Sequence, residues 1–282
     1  MERSFNPFIN TALGVVRLLV YANFWVAGAV FALTLATEKI LNSSTPSVAL
    51  LNAAGTLVIY GFARFFEGPS EADSSSKITA WRKRMPKISW MSMVLGAGLS
   101  IVEITRLFSI ELVGLYLFAA GIAVLYPLPF LLRKRGGGLR SVPGLKLFLI
   151  AFTWAFTTAF IPAYLDGQSP ILPFLERFLW TAALTIPFDV RDSSIDSNSI
   201  KTLPHLVGPR NSIFIAHGLL WLSFLVLTTG LALAVFPTFI TFVFFATIII
   251  VANPNLGDLY YSLLIEGLPW ILLGLVWRMP YL

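Results

Sequence analysis

The chain alternates long apolar runs with short polar segments. Nine runs approach the roughly 20 residues that a helix needs to cross a bilayer. They cover 14–37, 46–65, 88–106, 110–132, 145–165, 171–190, 212–231, 232–252 and 259–277. Glu176 and Arg177 interrupt the sixth run. The seventh and eighth form one uncharged stretch, divided by length near Thr229, Gly230 and Pro237, so that eight helices is the alternative reading.

Composition sharpens this pattern. Of 282 residues, 57% are hydrophobic and 12% charged, with a mean hydropathy of +0.80. Soluble domains carry roughly 25% charged residues, so the bilayer is the natural solvent for this chain. The expectation is an all-α, polytopic transmembrane bundle of about nine helices, forming a single domain over 1–282. The first run is longer than the roughly 7–15-residue apolar core of a cleaved signal, and is read as a span. There is no cysteine, which removes disulfides, thiolate metal sites and cysteine nucleophiles.

The net charge of +6 has a topological explanation. If the runs alternate across the membrane, 16 of the 20 Lys and Arg fall on one side; only Lys39, Arg106, Arg177 and Arg278 fall on the other. Basic residues mark the cytoplasmic side, so nucleic acid is not expected as a partner. The N-terminus is placed in the cytoplasm and the C-terminus outside, in an inner (cell) membrane of bacterial type. Three long polar loops (64–87, 133–146 and 191–211) then form a cytoplasmic cap, where any chemistry should sit.

The segment Pro187–Pro204 carries the strongest chemical signal. Asp189, Asp192 and Asp196 are spaced i, i+3, i+7 and share one helical face, within an arc of about 60°. Clustered carboxylates repel. A divalent cation relieves this, and Mg2+ binds one or two carboxylates while taking other oxygens from water or substrate phosphates. A solvated helix end is the plain alternative, but Asp189 lies at the edge of a span, where carboxylates are costly and tend to be functional.

These residues resemble the second Asp-rich motif of the UbiA superfamily of intramembrane prenyltransferases, which ends the sixth of nine helices and precedes a Thr-Leu-Pro-like segment. Here Lys201-Thr202-Leu203-Pro204 stands in that place. Tyr126-Pro127, then Arg133-Lys134-Arg135, then Pro143-Gly144-Leu145-Lys146 is similar to the family's Tyr-Pro, basic loop and following helix. The resemblance implies Mg2+-dependent transfer of an isoprenyl group from an isoprenyl diphosphate to a lipophilic acceptor within the membrane. It makes Asp189, Asp192 and Asp196 catalytic, metal-holding residues. Arg64, Tyr126, Lys134, Arg135, Arg191 and Lys201 would bind the substrate. One departure stands out. The family's first Asp-rich motif is absent from Tyr60-Gly61-Phe62-Ala63-Arg64-Phe65-Phe66-Glu67, leaving Glu67, Glu71 and Asp73 as the nearest carboxylates for a shifted metal site. A terpene cyclase of the same fold and a non-catalytic, lipid-binding UbiA-like protein remain alternatives. A transporter is disfavoured, because no internal repeat appears and the charges gather on one rim.

Four further features complete the reading. Glu266 lies inside the ninth run, facing either a cavity or a helix partner. Glu103 and Arg106 read as a structural i, i+3 pair. Glu176 and Arg177 are expected near the outer interface, snorkelling towards water. His217 is expected to be a satisfied core histidine.

Overall fold

The computed structural model describes residues 7–66, 81, 85–125, 144–193 and 202–278. Among these residues every regular element is helical, as lipid demands of a backbone that must satisfy its own hydrogen bonds. The helices are α1 (Pro7–Tyr21), α2 (Phe24–Ile40), α3 (Ala49–Phe66), α4 (Pro86–Arg106), α5 (Ile110–Leu125) and α6 (Leu145–Leu165). They continue with α7 (Ile171–Asp192), the short α8 (Leu203–Val207), α9 (Pro209–Gly230), α10 (Val235–Val251) and α11 (Tyr260–Arg278). Five unbroken helices are long and apolar enough to span a membrane, six if α1 and α2 count as one broken span; α3, α5 and α10 are shorter apolar helices.

The first apolar run is not the single helix expected. It breaks at Ala22–Asn23, and the two halves meet at 69°. Asn23 turns the chain with a φ of 67°, a left-handed conformation that asparagine tolerates better than most residues. The corner is buried: Val20, Tyr21, Ala22 and Asn23 all pack inside, and Tyr21 meets the Trp81 ring edge-on at 5.5 Å.

Two helices contain wide, π-type turns just ahead of a proline. Phe156–Phe160 precedes Pro162 in α6, and Tyr260–Ile265 precedes Pro269 in α11. A proline cannot donate to the carbonyl four residues back and crowds it, so the preceding turn widens. The division between the seventh and eighth runs falls where length suggested: α9 ends at Gly230, Ala232 adopts a φ of 56°, and α10 starts at Val235.

The main core joins α2, α7, α9, α10 and α11 around Leu33, Trp180, Leu220, Phe242, Phe245 and Ile265. The outward face of α4 leaves Met91, Val94, Ile101 and Val102 exposed, as lipid contact requires. On its other side α4 packs closely on α3. A Cβ on Gly96 would stand 2.7 Å from the Ala54 carbonyl oxygen and 2.7 Å from the Leu57 Cβ. Small residues at such crossings let backbones approach. Gly96→Leu should therefore cost about 1–3 kcal/mol by forcing the helices apart. It should lower the detergent melting temperature by several degrees, whereas Gly98→Ala, with nothing within 4 Å, should leave it unchanged.

One end of the bundle is closed by polar capping between loops. Asp166 accepts from the Ser44 and Thr45 N–H groups (3.0 and 3.2 Å), and the Gln168 amide donates to Asp166 and to the Leu41 carbonyl. Burial pushes the Asp166 carboxyl up, but these hydrogen bonds outweigh it and hold it below the usual carboxylate value. Arg106 donates to Glu103 at 2.6 Å and reaches the Ser47 carbonyl, so the expected i, i+3 pair is present at this end.

Glu176 and Arg177 are not at the interface. Both are 1% exposed inside the bundle. Packing of α7 between α2 and α9 encloses them, and they find partners there instead of reaching for water. His217 is likewise not satisfied: its Nε2 is buried without a hydrogen-bond partner among the described residues.

Candidate functional site

The opposite end of the bundle gathers the chemistry. Helix α7 is the pillar on which it stands. Thirteen of its residues are buried, from Pro173 to Val190, and its last turn delivers Asp189, Arg191 and Asp192. Helix α6 runs alongside in the opposite sense, with Phe148 against Phe178 and Phe152 against Phe174, both at 5.5 Å between ring centroids. This pairing brings the first turn of α6 to the last turn of α7.

There Lys146 meets Asp189. The ammonium lies 2.6 Å from Oδ1; the lysine side chain is 16% exposed and the aspartate 1%. A carboxylate buried so completely must be neutralised or paired, and a flexible ammonium does the pairing. Asp192, one turn on, is 29% exposed and accepts from the Arg191 Nε at 2.8 Å. The Arg191 guanidinium also lies over the Phe188 ring at 5.3 Å and the Tyr261 ring at 5.1 Å. Those rings pack at 5.7 Å, and the Tyr261 hydroxyl donates to the Asn253 carbonyl at 2.6 Å, which fixes the platform. Asp258, just before α11, and Glu266, inside it after the π-type turn, lie within electrostatic reach of Arg191.

The Thr-Leu-Pro segment docks beside this cluster. Thr202 is 2% exposed, and its hydroxyl lies 2.9 Å from the His205 Nδ1. Pro204 is buried and Leu203 packs on the main core. The start of α8 is thereby anchored a short distance along the chain from the end of α7.

Of the residues the sequence singled out, Asp189, Arg191 and Asp192 come together at one mouth of the bundle. Asp196, Lys201, Tyr126, Lys134, Arg135, Glu67, Glu71 and Asp73 lie outside the described residues, as does most of the expected polar cap. Arg64 is in the last turn of α3, and its side chain is likewise outside them. Among the described residues no group of three or more His, Asp or Glu side chains is placed to hold a metal.

Tyr261 and Asp258 at this mouth had escaped notice, and Lys146 had been read only as part of the segment that opens its helix. Lys146 carried a readable signal. It is a lone cation in the first turn of an apolar helix, and a buried acid elsewhere calls for a partner. Tyr261 and Asp258 carried none, since aromatic residues are frequent throughout and Asp258 sits in an ordinary polar break.

This architecture, a polytopic helical bundle with paired charges at one end, is that of an integral membrane protein. Its fold is the UbiA fold. A UbiA homologue from Aeropyrum pernix K1 superposes with a TM-score of 0.60 at 14% identity, over 89% of this chain and 96% of that one. A UbiA homologue from Archaeoglobus fulgidus bound to GPP and Mg2+ gives a TM-score of 0.60 at 14% identity, covering 93% and 98% of the two chains. The same protein bound to DMAPP and Mg2+ gives 0.57 at 14% identity, with the same coverage. No family model matches the sequence, and no curated protein matches it. At this identity the likeness is one of fold, and the chemistry is argued from the residues themselves.

Proposed function

We propose that this chain is an intramembrane prenyltransferase that moves an isoprenyl group from an isoprenyl diphosphate to a lipophilic acceptor. The observation that carries the reading is the buried Asp189 at the mouth of a UbiA-fold bundle, its charge met by Lys146. Intramembrane carboxylates are expensive and mark sites. The Lys and Arg placement along the chain orients this mouth towards the cytoplasm.

Mg2+ is proposed as the cofactor, and the donor chemistry fits it. Asp189 and Asp192 offer hard carboxylate oxygens one turn apart, and the Lys146 ammonium already marks a cation position on Asp189. Mg2+ needs only one or two protein carboxylates when water and phosphate complete its shell. Asp189 and Asp192 would hold it, with Asp196 as the further candidate of the same motif. When bound, it would neutralise charge building on the leaving diphosphate.

The chain's own residues supply the remaining parts. Arg191, Arg64 from the last turn of α3, and Lys134, Arg135 and Lys201 from the polar segments between helices orient and neutralise the diphosphate; arginine forks match phosphate oxygens in pairs. The C–O bond of the allylic diphosphate breaks, the diphosphate leaves with the electron pair, and the acceptor attacks the allylic carbon. Phe188 and Tyr261 hold the Arg191 guanidinium over their rings and so set its place at the mouth. The surrounding helices keep water from the cation developing on the allylic carbon.

The test uses purified, folded protein. With Mg2+ it should bind geranyl diphosphate, and Asp192→Ala should abolish binding while leaving the melting temperature nearly unchanged, because Asp258 and Glu266 remain within electrostatic reach of Arg191. Unchanged binding in Asp192→Ala removes the metal assignment. One observation favours a second reading, a non-catalytic lipid-binding protein: the last turns of α3, through Ala63, contain no carboxylate. Failure of the intact protein to bind any isoprenyl diphosphate decides for that reading.

A further inference from the structure

Lys146 has so far been only the partner of Asp189, yet it makes the shorter of the two ion pairs at the mouth among the described residues. Its Nζ lies 2.6 Å from Asp189 Oδ1, and both groups are withdrawn from water. The geometry points to Lys146 as a resident counter-cation that exchanges: it holds Asp189 while the site is empty, and turns to the substrate's diphosphate when Mg2+ takes the carboxylate. This inference rests on the prenyltransferase reading and adds a substrate-binding residue to it.

Three facts support it. First, Asp189 is 1% exposed, so its charge needs a cation at all times; an empty site without Lys146 would leave a bare carboxylate in a low-dielectric bundle. Second, the partner is a lysine on the first turn of α6, and a lysine is a compact charge on a flexible four-carbon stem. An ammonium can move a few ångströms by rotating its stem, whereas the Arg191 guanidinium lies over the Phe188 and Tyr261 rings and donates to Asp192. Third, a divalent ion and an ammonium cannot share one carboxylate at close range without repulsion. Arrival of Mg2+ would therefore turn the ammonium from Asp189 towards the diphosphate.

The consequence is a pair of effects with opposite signs. Lys146→Met removes the competitor for Asp189, so affinity for Mg2+ alone should rise by about tenfold. The same change removes a charge-assisted donor to the diphosphate, so affinity for geranyl diphosphate with saturating Mg2+ should fall by about tenfold to a hundredfold. Lys146→Arg should keep most of the diphosphate affinity. Metal affinity is measured without substrate by Mn2+ paramagnetic resonance, with Mg2+ as competitor; diphosphate affinity is measured by calorimetry. Should Lys146→Met fail to fold, Lys146→Gln keeps most of the stem and must give the same opposed shifts. Parallel loss of both affinities makes Lys146 merely structural and overturns the inference, as does unchanged diphosphate binding. Absence of diphosphate binding in the wild type overturns the function proposed above, and the exchange with it.

Discussion

Asp189→Asn is expected to abolish isoprenyl diphosphate binding and to destabilise the protein in the same step. The two losses have separate causes. On the proposed function the amide lacks the carboxylate charge that would hold Mg2+, and with it the cation through which the diphosphate would bind. The stability loss follows from Lys146. Its ammonium is 16% exposed, and in the variant it would face an uncharged amide at 2.6 Å. Breaking one side of a buried pair costs about 3–5 kcal/mol. Partial access of Lys146 to the interface places this case at the low end. The double variant Asp189→Asn/Lys146→Met should recover much of the melting temperature but none of the binding, because removing both charges leaves no orphan. Asp192→Ala provides the contrast, with binding lost and stability kept. If Asp189→Asn binds geranyl diphosphate as tightly as the wild type, the mouth is not a diphosphate site.

The legible and hidden parts of this molecule divide along physical lines. Apolar runs near 20 residues announce helices because a bilayer permits little else, and each of the nine predicted runs carries helix. The break at Asn23 was hidden, since nothing in the local apolar pattern marks a 69° bend; only the buried corner formed by Val20, Tyr21 and Ala22 explains it. That Asp189 and Asp192 end the same helix was legible from their spacing at the close of an apolar run. Lys146 was half-legible: its helix could be read, but its meeting with Asp189 depends on how α6 packs along α7, which no spacing in either segment encodes. Glu176 and Arg177 were misplaced for the same reason. Adjacent opposite charges near a helix end look interfacial in sequence, and only the neighbours of α7 show that both are enclosed.

That enclosed pair is the second place where one substitution should matter most. Arg177 Nε donates to Glu176 at 3.2 Å, Nη1 to the Leu33 carbonyl at 3.2 Å and Nη2 to the Thr37 hydroxyl at 3.2 Å. Ser223 donates to the other Glu176 oxygen at 2.9 Å. One guanidinium thus ties α7 to α2, while its carboxylate partner ties α7 to α9. Arg177→Met should cost about 3–5 kcal/mol, because Glu176 would remain charged at 1% exposure with Ser223 as its remaining donor among the described residues. Arg177→Lys should rescue little, since one ammonium cannot reproduce a planar fork aimed at three acceptors. Glu176→Gln/Arg177→Met should be more stable than Arg177→Met alone, because no unpaired charge remains. Unlike Asp189→Asn, the Arg177→Met protein that remains folded should bind geranyl diphosphate normally, since among the described residues its hydrogen bonds reach none of those at the mouth. Thermal unfolding in detergent, read beside calorimetric binding, separates the two outcomes. A melting temperature unchanged by Arg177→Met would mean that the pair does not hold these three helices together.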